Sequence, residues 1–238
     1  MPFIFLFFLT ISSHLWGQTI LIDPGHGGID LGAQAMSQKV EEKNLTLLLA
    51  QKLKAKLQKK FNVYLTRSFD KTLSLDERAK IAEKVSADLF ISIHFNSDIH
   101  TYSHGMETYY LDNHQNAAIH KVETVENKNE KMTEAQQILI DMVITQTVDE
   151  SRKLATLVSH ELTKKIVPTH QISNRGVRAG MFYVLALSKR PGLLLEVGFL
   201  SNPKELKKLT QDKFQNDYVM AVTYAIEKFF KQKKRLDS

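Results

Sequence analysis

The sequence contains no cysteine. Disulfide frameworks, thiolate metal sites and cysteine nucleophiles are therefore excluded. A chain without thiols can also enter an oxidising compartment without mispairing. Proline and glycine are sparse, at 5 and 10 of 238 residues, which excludes a collagen-like or low-complexity chain. No apolar run reaches the roughly 20 residues that span a bilayer. The N-terminal run from Pro2 to Leu9, extended by Thr10 and Ile11, is about half that length and fits the h-region of a signal peptide. Gly17 is a small residue suited to the cut, although no Lys or Arg precedes the run. The expected organisation is a signal peptide over residues 1–17 and one domain over 18–238. Export to the periplasm or cell envelope follows. With no cysteine near the cut, a lipoprotein anchor is excluded and no stable membrane anchor is expected.

What is present is ordinary for a globular protein: 43% apolar, 24% charged and a net charge of +6. The length suffices for a sizeable core. The positive excess suits an anionic polymer or surface without choosing one.

Apolar runs suited to strands occur at Thr19–Ile22, Val63–Thr66, Leu89–Ile93, Met106–Leu111, Phe182–Leu185 and Gly192–Val197. Helical spacing appears from about Glu41 to Lys60, over Ser151–Ile166, and from Asp217 to Lys231. Ser74 and Glu77 form a capping box that opens a helix running to Val85. This alternation predicts an α/β fold: a single domain with a mostly parallel or mixed twisted sheet, flanked by helices on both faces. A polar and then amphipathic stretch, about 113–149, reads as a long insertion.

Ligands in open α/β sheets gather at the carboxyl ends of strands. The first strand ends in Asp23-Pro24-Gly25-His26-Gly27-Gly28, and the third in Ser92-Ile93-His94-Phe95-Asn96. Glu196 interrupts the apolar run Leu193-Leu194-Leu195, a costly place for a carboxylate unless it is paired or bound to a metal. Two histidines and a carboxylate form a zinc set that leaves a position open for water. On the first long helix, Glu42 falls within about 20° of the leucine face and Glu41 about 80° away. Glu42 therefore points inward and Glu41 outward. The glycine loop lacks the Lys-Ser/Thr ending of a P-loop, so a nucleotide is not expected there; nucleic acid is not an expected partner either. His100, His104, His114, His120, His160 and His170 lie in loop, polar or helix-surface contexts and are expected to be surface residues.

These segments, with Thr66-Arg67, Leu75 and Arg78, Gly105–Leu111, Asn174-Arg175-Gly176-Val177 and Leu195–Asn202, resemble the zinc-dependent N-acetylmuramoyl-L-alanine amidases, in that family's order and over roughly residues 19 to 230. The resemblance implies one zinc ion held by His26, Glu42 and His94, with Glu196 as the catalytic glutamate. It implies hydrolysis of the amide between the lactyl group of N-acetylmuramic acid and the L-alanine of the peptidoglycan stem peptide. Two alternatives remain open: a zinc carboxypeptidase or peptidase acting on the stem, and a non-catalytic wall-binding module.

Some cell-division members carry a helix that plugs the active site until an activator protein moves it. Residues from about Glu134 to Asp149 occupy the equivalent place here. Glu134, Asp141, Asp149 and Glu150 are the expected autoinhibitory carboxylates, and deletion of 116–147 is expected to raise basal hydrolysis. Otherwise the segment is a surface helix that packs an Ile138/Met142 stripe on the domain. The Asn174–Val177 segment is unlike that of the regulated members.

Overall fold

A computed structural model describes residues 17–35, 40–114, 116–128 and 133–236. The expected signal peptide lies outside the described residues, apart from Gly17. In chain order the elements are β1 (Thr19–Pro24), β2 (Gln34–Ala35), β3 (Val40–Glu41), α1 (Glu42–Leu57), β4 (Asn62–Leu65), α2 (Leu75–Lys84), β5 (Leu89–Asn96), β6 (Met106–Leu111), α3 (Ala117–Glu126), α4 (Glu134–His170), β7 (Asn174–Gly180), α5 (Tyr183–Ser188), β8 (Gly192–Phe199), α6 (Pro203–Leu209) and α7 (Asp212–Leu236).

Six strands form one mixed sheet in the order β4-β1-β5-β8-β6-β7. All neighbours are parallel except β6 and β8. Side chains of a strand alternate between faces, and the two core clusters follow that alternation. Ile20, Ile22, Leu89, Ile91, Ile93, Leu193 and Leu195 pack into one layer with α1, the later part of α4, α6 and α7. Leu21, Phe90, Tyr109 and Leu194 pack into the other, with α2, α3, the start of α4 and α5. On α7, Phe214, Tyr218, Val222, Ile226 and Phe230 recur every fourth residue along the buried face. Among the described residues, no helix is long and apolar enough to cross a membrane.

The same alternation sets the position of the polar residues. His94 and Asn96 follow Phe90 at even spacing, Glu196 follows Leu194, and Glu107 precedes Tyr109. All therefore leave the sheet on the face of the second cluster. β5 and β8 pair His94 with Glu196, and β6 and β8 pair Glu107 with Glu196.

Two expectations are corrected and one strand is added. Phe182–Leu185, rich in β-formers, is not a strand: Phe182 is the extended N-cap of the short helix α5, which buries Val184, Leu185 and Ala186. Asn174–Gly180 is a strand, β7, at the sheet edge next to β6. The insertion also does not end before a separate helix. Its second part is the beginning of the 37-residue α4, with a Thr133–Gln136 capping box. The stripe that α4 buries there is Ile140, Val143 and Ile144, whereas Ile138 is 64% and Met142 55% exposed.

Candidate metal centre

β1 delivers the chain into the loop Gly25–Gly28, and two buried arginines fix that loop by its carbonyls. Arg78 donates to the Pro24 and His26 oxygens, and Arg67 to those of Pro24, Gly25 and Lys43. Such groups are costly to bury unpaired. Asp23 meets the charge of Arg78 at 2.5 Å and also accepts from Thr66 and Ser92. Burial would raise the Asp23 carboxyl pKa, but Arg78 and Thr66 outweigh it and hold the acid below its usual range. The Thr66-Arg67 and Arg78 motifs are thus the scaffold of the His26 loop.

His26 adopts a left-handed φ of 60° and turns its ring toward the strand ends. Its Nδ1 lies 3.0 Å from Asp30 Oδ1. That contact orients the ring and leaves Nε2 free for a ligand. Glu42 opens α1, buried to 1% exposure, and accepts from the backbone N–H of Ala33 and of Phe95, both at 2.8 Å. Its two oxygens face His26 Nε2 at 3.1 Å and His94 Nδ1 at 3.3 Å. Glu41 is half-buried, with an oxygen 3.7 Å from Lys43 Nζ. The His26 and His94 rings stand edge to face, with centroids 4.8 Å apart. Gly25 makes this proximity possible: a Cβ there would sit 2.4 Å from His94 Cε1 and Nε2.

Donor atoms of His26, Glu42 and His94 lie within 4.8 Å of one another. His26 Nε2 and His94 Nδ1 are buried without a hydrogen-bond partner. Two neutral-capable imidazoles and a carboxylate are the donor set of a zinc or similar divalent site. The residues fit a metal ion, and it would satisfy the atoms left unpaired. Without one, burial disfavours the His26 cation, yet Glu42 and Asp30 push its pKa up to about 10.

Glu196 is fully buried, and both its oxygens lack hydrogen-bond partners. Burial, followed by the charge of Glu126, raises its carboxyl pKa well above the ordinary range. It belongs to a second convergent set, with His94 and Glu126.

Glu126 is the residue that sequence reasoning missed. At the end of α3, its Oε2 lies 2.7 Å from His94 Nδ1 and 3.7 Å from His26 Nε2. Of the four carboxylates expected in its place, Glu134, Asp141 and Asp149 are solvent-exposed on α4, and Glu150 pairs with Lys233 at 2.7 Å. The helix that faces the histidines is the shorter one before α4. Of the histidines expected to be surface residues, His120 is one, with its side chain 79% exposed beside Glu123, whereas His114 is largely enclosed against Glu123 of α3. The side chain of His170 is also largely enclosed, against Asp217 and Phe214.

Comparison with known proteins bears on the whole chain. The N-acetylmuramoyl-L-alanine amidase family model matches residues 20–228. The amidase AmiA of Salmonella typhimurium is 33% identical over 223 residues, covering 89% of this chain and 75% of that protein. An N-acetylmuramoyl-L-alanine amidase from Clostridium difficile 630 superposes with a TM-score of 0.72 at 29% identity, covering 91% of this chain and 98% of that one. The CwlD amidase of Clostridioides difficile, solved in complex with the GerS lipoprotein, gives 0.70 at 26% identity, covering 90% and 98%. The match runs from β1 into α7 without a break, so the chain belongs to the N-acetylmuramoyl-L-alanine amidase family.

Proposed function

We propose that this enzyme hydrolyses the lactyl–L-alanine amide of peptidoglycan with one zinc ion held by His26, Glu42 and His94, that Glu196 carries the proton, and that α3 blocks the site through Glu126. The supporting observation is the convergence of three buried donors beside a carboxylate that has no hydrogen-bond partner of its own. Zinc, when bound, supplies Lewis acidity and activates water at neutral pH. With zinc held there, Glu196 would be the group placed to accept a proton from the attacking water. It then passes the proton to the nitrogen of the departing L-alanine as the C–N bond breaks. Asp30 holds His26 by Nδ1, and the Ala33 and Phe95 amides hold Glu42, so the donors are oriented before metal arrives.

The testing experiment is mass spectrometry of purified peptidoglycan digested with residues 18–238, with and without chelator and with zinc restored. Peptides beginning at L-alanine, absent with chelator, are expected. Loss of only the terminal D-alanine would make the enzyme a carboxypeptidase instead. A cell-envelope location and an activator that lifts α3 complete the reading. The solved pairing of CwlD with a lipoprotein is consistent with such partners for the family.

Two further outcomes follow from the donor geometry. Chelation is expected to lower Tm by on the order of 10 °C, since a ligand at about a thousand times its Kd stabilises by about 4 kcal/mol. Scanning calorimetry of the zinc-loaded and stripped protein measures this, and an unchanged Tm would count against a metal held by buried donors. Gly25→Ala is expected to displace the His94 ring and lower zinc affinity about ten- to a hundredfold. Competition with a chromophoric chelator measures that change, and retained affinity would contradict the steric argument.

A further inference from the structure

We propose that Arg175 and Arg178 form an anion subsite for a free carboxylate of the stem peptide, next to the alanine that leaves; this deepens the amidase reading and rests on it. Both arginines project from β7 onto a single carboxylate. Arg175 Nε lies 2.9 Å and Arg178 Nε 3.3 Å from the same oxygen, Glu107 Oε1. The other oxygen of Glu107 accepts from Asn96 Nδ2 at 3.0 Å and Tyr109 OH at 2.9 Å. Glu107 is buried, whereas the side chains of Arg175 and Arg178 are 36% and 26% exposed. Two guanidinium charges therefore meet one carboxylate, and one positive charge is left over beside the cleft. Arg178 Nε is itself enclosed and lacks a hydrogen-bond partner.

The cleft has a volume of about 820 Å³, and both arginines line it together with His26, Glu42 and Glu126. Its other carboxylates are committed elsewhere: Asp98 to Ser103 and Lys121, and Asp30 to His26 and Lys128. Arg175 also lies over the Phe199 ring, with Cζ 5.3 Å from the centroid, a cation–π contact that holds the guanidinium at the cleft. A planar fork with free N–H groups suits a carboxylate better than a neutral amide.

The position relative to the chemistry is set by register. Glu107 is opposite Glu196 across β6 and β8, so the arginine pair on β7 stands two strands from the proton carrier, with Glu107 between them. An extended peptide advances about 3.3–3.6 Å per residue. The acidic group nearest the scissile bond is on the second stem residue, which is joined to the third through its side-chain carboxyl and keeps its α-carboxylate. The third residue can carry another. The shared chemistry is a carboxylate one or two residues beyond the alanine.

The test uses the full zinc-loaded chain carrying Glu126→Ala and Glu196→Gln, titrated calorimetrically with soluble muramyl tripeptides. One peptide has both carboxylates free, one is amidated at the second residue, and one at the third. Amidation of the residue that occupies the subsite is expected to weaken binding about tenfold or more. Arg178→Gln, and separately the more exposed Arg175→Gln, are expected to weaken binding of the free peptide to the level of that amidated one, with no further loss on the amidated peptide itself. In the turnover-competent Glu126→Ala background, the same substitutions are expected to raise KM more than they lower kcat. Equal affinity for all three peptides, equal losses on all of them, or no binding of any would overturn the subsite. Failure of the amidase reading looks different: no peptide is released from sacculi, yet the discrimination between carboxylate and carboxamide remains.

Discussion

Glu196→Gln is expected to lower kcat by about a thousandfold and to leave both fold and zinc content unchanged. The substitution is nearly isosteric in a fully buried position, so packing is preserved. It removes no hydrogen bond, because neither carboxylate oxygen has one. What it removes is the group that can take a proton in a dry site. Its surroundings raise its proton affinity: burial first, then Glu126, with Glu42 and Glu107 adding to it and His94 opposing. A metal ion held beside His94 would pull the other way and favour the ionised carboxylate. kcat on a soluble muropeptide, zinc per chain by atomic spectroscopy and Tm by calorimetry separate these effects. His26→Ala and His94→Ala are expected to lose zinc and turnover together. A Glu196→Gln protein that keeps more than a tenth of its activity would remove Glu196 from the reaction, and one that loses zinc would make Glu196 a ligand instead.

The buried carboxylate Glu196 and the two histidines were legible as candidates because a strand end is a place with rules. Asp23–Gly28 and Ser92–Asn96 stand where parallel strands stop, and Glu196 sits in an apolar run where an unpaired carboxylate is costly. Glu42 followed from helix angle alone, and it is buried as that angle required. The errors came from segments whose local chemistry was overruled by packing. Tyr183-Val184-Leu185 has strand-forming side chains, but their burial against the second cluster is reached on one helical turn. β7 carries Arg175, Gly176 and Arg178 at the sheet edge, so it has no apolar alternation to find. In the insertion, Ile138 and Met142 looked like the buried stripe, yet Ile140, Val143 and Ile144 fill the core. Glu126 was the hardest residue to find. It lies in Val122–Asn127, among several glutamates that local spacing cannot rank, and its importance arises only because α3 folds back over residues some 30 and 100 positions earlier in the chain.

Glu126→Ala is expected to raise basal hydrolysis by about ten- to a hundredfold. The carboxylate oxygen is 2.7 Å from His94 Nδ1, where a metal and a substrate carbonyl would need to be. A tenfold to hundredfold rise corresponds to about 1.4–2.8 kcal/mol taken from the closed state, to be supplied by the buried ionic contact of Glu126 with His94. The helix is held by independent anchors. Glu123 accepts from the Met181 amide and contacts His114 and His120, and Asn127 donates to the Met181 carbonyl and accepts from the Tyr183 amide. Lys128 adds an ion pair to Asp30, directly behind His26. Glu126→Ala therefore clears the donors without detaching α3, whereas Glu123→Ala is expected to loosen the whole helix and give a larger rise. Deleting 116–147 is a poorer test than the sequence suggested, because it also takes Ile140, Val143 and Ile144 out of the core, at about 1.5–3 kcal/mol for each side chain. The informative comparison is the initial rate of peptide release by wild type, Glu126→Ala and Glu123→Ala, each shown to bind one zinc. Rates that stay flat or fall in both variants would mean that Glu126 serves the open enzyme rather than closing it.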